Sequence, residues 1–202
     1  HQAEFDLDSV VQRVKQKQVD ERAHKAPRVE EKVSAVLALL APGAHGAEIL
    51  LTRRSTKLSN HQGEISFPGG RVDTDETMTE AALRETHEEV GIEPSSITVH
   101  AELSPLSTFV SRSFIVPIIG TVEKKPELVL NSYEVERAMW VPLAERVRAE
   151  TFSWEWWSFD RAELPGDRPM FFFHLDDETV WGATARMLHE LLCVIHGVNH
   201  FD

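Results

Sequence analysis

Residues 70–92 read GRVDTDETMTEAALRETHEEVGI, and the fold turns on this stretch. Glu76, Glu80, Glu85, Glu88 and Glu89 crowd around Arg84. Thr77 followed three residues later by Glu80 is a capping-box signature, so a helix is expected to open near Met78. Gly91 followed by Ile92 suits its C-terminal cap and the apolar contact that goes with it. Glu76 then lies in the loop before the helix. Ala82, Leu83, Thr86 and Val90 make the stripe that packs inward. Glu85, Glu88 and Glu89, spaced i, i+3 and i+4, share an adjacent face. Like charges so placed repel by a few tenths of a kcal/mol per pair. A solvated acidic face is the ordinary reading of such a run. A hard divalent cation, Mg²⁺ or Mn²⁺, is the other, because it takes oxygen ligands from carboxylates, waters and phosphates.

The second reading gains weight because the segment resembles the Nudix box. That pattern is Gly, five residues, Glu, seven residues, Arg-Glu, an apolar residue, any residue, Glu-Glu, any residue, Gly and an apolar residue. Gly70, Glu76, Arg84, Glu85, Glu88, Glu89, Gly91 and Ile92 fall in register, and Thr86 stands where the family prefers an aliphatic side chain. The resemblance implies an α/β fold, an α/β/α sandwich around a mixed β-sheet. It also implies Mg²⁺- or Mn²⁺-dependent attack of water on a phosphorus of a nucleoside diphosphate linked to another group. Glu85, Glu88 and Glu89 are then the expected metal ligands, with the Gly70 carbonyl joining them as in family members. Arg84 has five donors and no acceptor, so it is not a ligand. Its expected role is to orient Glu85 and pair with Glu76. The general base stays open between Glu85 and Glu88 in the box and a downstream carboxylate, Glu134 in NSYEVERAMW. His61 and His87 carry the side chain suited to acid–base work near neutral pH, but as lone histidines they read as surface residues.

The preceding segment, LLTRRSTKLSNHQGEISFPGG (50–70), narrows the substrate. It resembles the additional motif of the coenzyme A pyrophosphatases of the Nudix family. Leu50, Leu51, Thr52, Arg54, Ser55, Gly63, Phe67, Pro68, Gly69 and Gly70 match, whereas Ser59 replaces an arginine. WGATARML (181–188) is similar to the closing helix of those enzymes. The implied products are 3′,5′-ADP and 4′-phosphopantetheine or its acyl form. Arg53, Arg54 and Lys57 are the candidate substrate-binding cations, with plain surface charge as their alternative. Ser59 keeps other nucleotide substrates in play: ADP-ribose, NADH or an oxidised nucleotide. A non-catalytic Nudix ligand-binding domain is the remaining alternative, but such domains usually lose box carboxylates, and all are present here.

The rest of the chain bounds these readings. Its 202 residues and 42% hydrophobic content suit one domain with a sizeable core. The expected organisation is an N-terminal helix and linker over 1–31 and the Nudix domain over 32–202. The helix spans 4–18, with Phe5, Val10, Val11 and Val14 on one side. Strands are expected at 32–40, 47–54, 63–70, 96–103, 114–122 and 137–143, a turn at 41–46, a short helix at 143–150 and a closing helix at 181–197. Residues 152–175, rich in Trp and Phe, read as a hairpin or two edge strands. Their aromatics belong to edge-strand core or a homodimer contact, or alternatively line the mouth of the substrate site or an adenine pocket. A formal net charge of −12 argues against nucleic acid and acidic membranes as partners. No apolar run reaches membrane-spanning length, the start lacks a secretory apolar region, and a cytoplasmic location is expected. Cys193 is the sole cysteine and reads as a buried structural thiol.

Overall fold

The computed structural model describes residues 5–17, 26–59, 62–108, 111–161 and 164–198; His61 and part of the expected linker lie outside them. After helix α1 (Leu7–Gln16), β1 (Lys32–Gly43) and β2 (Gly46–Arg54) form an antiparallel hairpin pairing Leu40 with Ile49. The turn expected over 41–46 shrinks to Ala44 and His45. Ala41 and Ala47 are buried and lie in the ladder, opposite Glu48 and Pro42. The single strand expected at 63–70 is two, β3 (Ile65–Ser66) and β4 (Gly69–Arg71), broken at Phe67–Pro68. Proline has no N–H to give a ladder. Helix α2 follows (Met78–Val90), then β5 (Thr98–Glu102), β6 (Leu106–Thr108), β7 (Ser113–Thr121) and β8 (Val135–Pro142). The helix expected at 143–150 is a short 3-10 turn, Leu143–Val147. A hairpin, β9 (Phe152–Arg161) and β10 (Leu164–His174), leads to β11 (Thr179–Val180) and helix α3 (Gly182–His196). β6 and β11 are too short to show an alternating pattern in sequence.

The main sheet is mixed. Along β3-β2-β1-β7-β5 only β1 and β7 run parallel, from Lys32 opposite Ser113 to Leu40 opposite Thr121. β4 pairs with the start of β1, and β8 with β2. Alternation along β1 divides the core, because successive side chains of a strand point to opposite faces. Ala35, Leu37 and Leu39 pack with Ala81, Ala82 and Val90 of α2. Ala38 and Leu40 pack with Val10 and Val14 of α1 and with Leu188 and Leu191 of α3. Helices therefore cover both faces, in the expected α/β/α layering. Helix α1 is part of that core: Phe5, Val10 and Val14 are buried. The side chain of Lys17, just beyond it, donates to buried Glu190 of α3. Glu190 also accepts from the Ser104 backbone at 3.0 Å and its hydroxyl at 2.7 Å.

β9 to β11 make a second, three-stranded sheet with β9 at its edge. At its base Phe152, Phe171 and Phe173 pack together, and Phe171 stacks on His189 of α3 at 3.9 Å. Trp154, Trp156 and Trp157 stay exposed. Among the described residues, no helix is long and apolar enough to cross a membrane.

Candidate active site

The site is built where α2 crosses β4. Thr77 caps the helix by accepting from the Glu80 backbone at 3.2 Å, and Glu80 accepts from the Thr77 backbone at 2.8 Å. Gly91 ends it in the left-handed conformation, φ 74°. Thr86 is fully buried in the slot the family fills with an aliphatic residue. Its hydroxyl donates to the Ala82 carbonyl at 2.7 Å, so the Thr86 oxygen is not stranded in the core.

At β4 the backbone comes close to both its neighbours. A Cβ on Gly69 would lie 2.3 Å from the Ala35 carbonyl oxygen on β1. A Cβ on Gly70 would lie 2.4 Å from the carboxyl carbon of Glu85. Only glycines let the strand pass between β1 and the carboxylates of α2. The Pro-Gly-Gly of the sequence is therefore a packing requirement at the floor of the site.

Arg84 organises the carboxylates above this floor. Its Nε and Nη2 donate to the two oxygens of Glu76 at 2.8 and 3.0 Å, a two-pronged pairing. Nη1 donates to Glu85 at 2.9 Å and to Glu88 at 3.3 Å, and Nη2 also reaches the Arg71 carbonyl at 3.0 Å. Glu76 accepts in addition from the Asp73 backbone at 3.0 Å. These bonds, that with Arg84 foremost, hold the Glu76 carboxyl below its ordinary range. Glu76 in turn pushes the Arg84 pKa well above its ordinary range.

Glu89 sits differently. It is buried. Burial, then the charges of Glu85 and Glu134, push its carboxyl up to about 8, against the opposing pull of the Gly69 N–H and the Arg54 charge. Burial likewise raises Glu85, and Arg84 opposes the shift. The structure thus brings together Glu85, Glu89, Glu134, Gly69, Gly70 and Arg54, with Glu88 and Glu76 joined through Arg84. The grouping of Glu134 with the box was foreshadowed only as one candidate among several. The near-complete burial of Glu89 left no trace in the acidic pattern.

The other candidates lie apart. Arg53 and Arg54 are neighbours on β2, and they separate. Arg54 lies near Glu89, whereas Arg53 pairs with Glu136 on β8 and with Glu178, the latter at 2.7 Å. Lys57 is exposed in the following loop, and Ser59 is exposed as well. His87 is exposed and faces Glu93 at 3.8 Å. Buried Cys193 has its thiol pushed up to about 11, chiefly by burial, which leaves it no nucleophilic thiolate at neutral pH.

Among the described residues, no three carboxylate, imidazole or thiol groups converge closely enough to enclose an ion as the side chains stand. Glu85 and Glu88 are instead held by Arg84. The donor set nevertheless fits a hard divalent cation: oxygen donors only, with the Glu89 carboxyl shifted upward first by burial and then by its acidic neighbours. The close approach of Gly70 to Glu85 adds a carbonyl-bearing strand to that set.

The chain matches the NUDIX domain over residues 31–171. It is 31% identical over 192 residues to Nudix hydrolase 3 of Caenorhabditis elegans, covering 86% of this chain and 80% of that protein. It is 33% identical over 145 residues to the uncharacterized Nudix hydrolase NudL of Photorhabdus laumondii, covering 71% and 74%. Among solved structures, the Mycobacterium smegmatis (M. Smegmatis) Nudix hydrolase RenU is similar with a TM-score of 0.50 at 26% identity, covering 57% of this chain and 73% of that one.

Proposed function

Because the chain belongs to the Nudix family and is a Nudix hydrolase, we propose that its substrate is coenzyme A or an acyl or oxidised derivative. Cleavage falls in the pyrophosphate and gives 3′,5′-ADP and 4′-phosphopantetheine or its acylated form. The observation that carries the reading is the match of residues 50–70 to the coenzyme A pyrophosphatase motif. That segment ends in the Gly69–Gly70 floor under Glu85 and carries Arg54 beside Glu89.

Nudix hydrolases generally use divalent metal ions. Glu85, Glu88 and Glu89, with the Gly70 carbonyl, would hold Mg²⁺ or Mn²⁺. When bound, the cation supplies charge neutralisation at the anhydride and acidifies water. The protein's own groups do the remaining work. Arg54 meets a phosphate oxygen with a charge-assisted bond. Arg84 keeps Glu85 and Glu76 in fixed orientation. We assign the general base to Glu134, which lies beside Glu85 and Glu89 and is not tied up by Arg84. It accepts the proton as water oxygen bonds to phosphorus. The bridging P–O bond breaks, and the electron pair leaves on the departing phosphate.

A second reading, ADP-ribose or NADH, is favoured by Ser59 and by the neutralisation of Arg53, which leave fewer cations for the extra phosphate of coenzyme A. A side-by-side assay of coenzyme A, its acyl and oxidised forms, ADP-ribose, NADH and an oxidised nucleotide with Mg²⁺ separates the two. The expected result is highest kcat/KM for a coenzyme A form. Ser59→Arg is expected to lower its KM about tenfold, through a new charge-assisted contact. ADP-ribose or NADH ahead of every coenzyme A form, with Ser59→Arg inert, overturns the coenzyme A reading.

A further inference from the structure

Between β7 and β8 the chain runs alongside the C-terminal end of α2. The Val129 N–H donates to the Val90 carbonyl and the Asn131 N–H to the Glu89 carbonyl, each at 2.9 Å. Two helix carbonyls that would otherwise lack partners are thereby satisfied. Asn131 then makes four more bonds. Its carbonyl accepts from the Glu134 N–H at 3.0 Å and the Val135 N–H at 2.8 Å. Its side-chain oxygen accepts from the Tyr133 N–H at 3.2 Å, and its side-chain Nδ2 donates to the Glu134 carboxylate at 3.2 Å. These two partners determine which way the amide points. Flipped, it would set N–H against N–H and oxygen against carboxylate. The far side of Glu134 is held too, since its carbonyl accepts from the Ser55 N–H at 2.8 Å, one residue beyond Arg54.

A single residue therefore joins the backbone of one box carboxylate to the side chain of the carboxylate outside the box. We propose that Asn131 is a positioning residue. It ties Glu134 to the α2 backbone at Glu89, so that the Glu134 carboxylate stands at a set distance and orientation from Glu85 and Glu89. The proposal rests on the assignment of Glu134 as the general base. It matters chemically because Glu134 is on a connection between strands, where no helix or sheet ladder holds it. A base displaced by about 1 Å can cost on the order of a hundredfold in rate.

Asn131→Asp is the discriminating variant. It keeps the oxygen that accepts from Tyr133, and so the turn, but replaces the donor to Glu134 with a second acceptor. The expected result is a kcat at least about tenfold lower, with KM within about twofold of wild type and a single cooperative melting transition retained. In a Glu134→Gln background the same change is expected to add less than about twofold, because residues acting through one another are non-additive. Wild-type kcat in Asn131→Asp or in Glu134→Gln overturns the proposal, as does an equal loss in both backgrounds. A second measurement needs no turnover. The Asn131 side-chain amide resonances of the wild-type protein are expected to move in Glu134→Gln, and their staying in place overturns the positioning by itself. A wild-type protein that cleaves none of the nucleotides instead sinks the reading of the preceding subsection and leaves this spectroscopic result to decide the placement.

Discussion

Glu85 and Glu89 stand one helical turn apart, and their surroundings give them different tasks. Glu85 is held by Arg84, whereas Glu89 is buried with acidic neighbours. Replacing either by Gln keeps shape and removes a charged metal ligand. Each variant is expected to lose at least about a hundredfold in turnover, since a metal at a phosphoryl centre supplies several kcal/mol and about 1.4 kcal/mol is tenfold. Retention of a third of wild-type turnover at saturating Mg²⁺ would remove that residue from the ligand set. Glu89 also predicts a pH dependence of the metal-free protein. Its pKa rises from an ordinary 4.5 to about 8 on folding. The native state then holds a proton that the unfolded chain has released, and stability falls as pH rises between those values. With a chelator present, the melting temperature is expected to drop over that window, and Glu89→Gln is expected to flatten the drop. Equal slopes in the two proteins would show that Glu89 does not carry it.

At the scale of the element, α2 is specified by its ends. Thr77 and Glu80 were legible as a capping box, and both bonds of the box form. Thr77→Ala removes the side-chain acceptor for the Glu80 N–H. The expected loss is about 1 kcal/mol, or roughly 2–4 °C in melting temperature for a chain of this size, with kcat little changed because the first turn lies away from Glu85 and Glu89. A melting temperature equal to wild type would show that water replaces the cap without cost. The strand pattern was less legible. Residues 63–70 split into β3 and β4 because Pro68 has no N–H to donate, and β6 and β11 hold too few residues for a period of two to appear. The aromatic segment 152–175 read as a hairpin or two edge strands, and the pairing of β9 with β10 makes it a hairpin. Which of its rings would be covered was not legible, because that depends on where α3 crosses it.

Across the whole molecule, the N-terminal helix belongs to the packing. Phe5, Val10 and Val14 are almost fully buried in the cluster that includes Leu188 and Leu191 of α3. Burying side chains of this kind contributes roughly 1.5–3 kcal/mol each, and a domain's entire margin is only about 5–15 kcal/mol. Deleting residues 1–17 is therefore expected to leave the protein unfolded or aggregating at room temperature, as read by a lost cooperative transition in urea. A truncated chain with the wild-type midpoint would show that α1 rests on the core without supporting it. The segment matching the family, residues 31–171, contains the site, yet α1 and α3 on either side of it close one face of the sheet.

The sequence by itself determined the features carried by local chemistry: the caps of α2, the spacing of its glutamates, the glycines of the FPGG stretch and the hairpin of β1 with β2. These follow from short-range rules of backbone geometry and periodicity, which act within a few residues. Only the tertiary structure decided which charges meet. Arg53 and Arg54 are adjacent in the chain, but strand geometry sends one toward Glu178 and the other toward Glu89. Glu134 is far from the box in sequence, and the bonds of Asn131 to the Glu89 carbonyl and the Glu134 carboxylate, with that of the Ser55 N–H to the Glu134 carbonyl, are contacts between segments distant in the chain. Burial and Coulomb interaction depend on distances through space, which the order of residues along a chain does not contain.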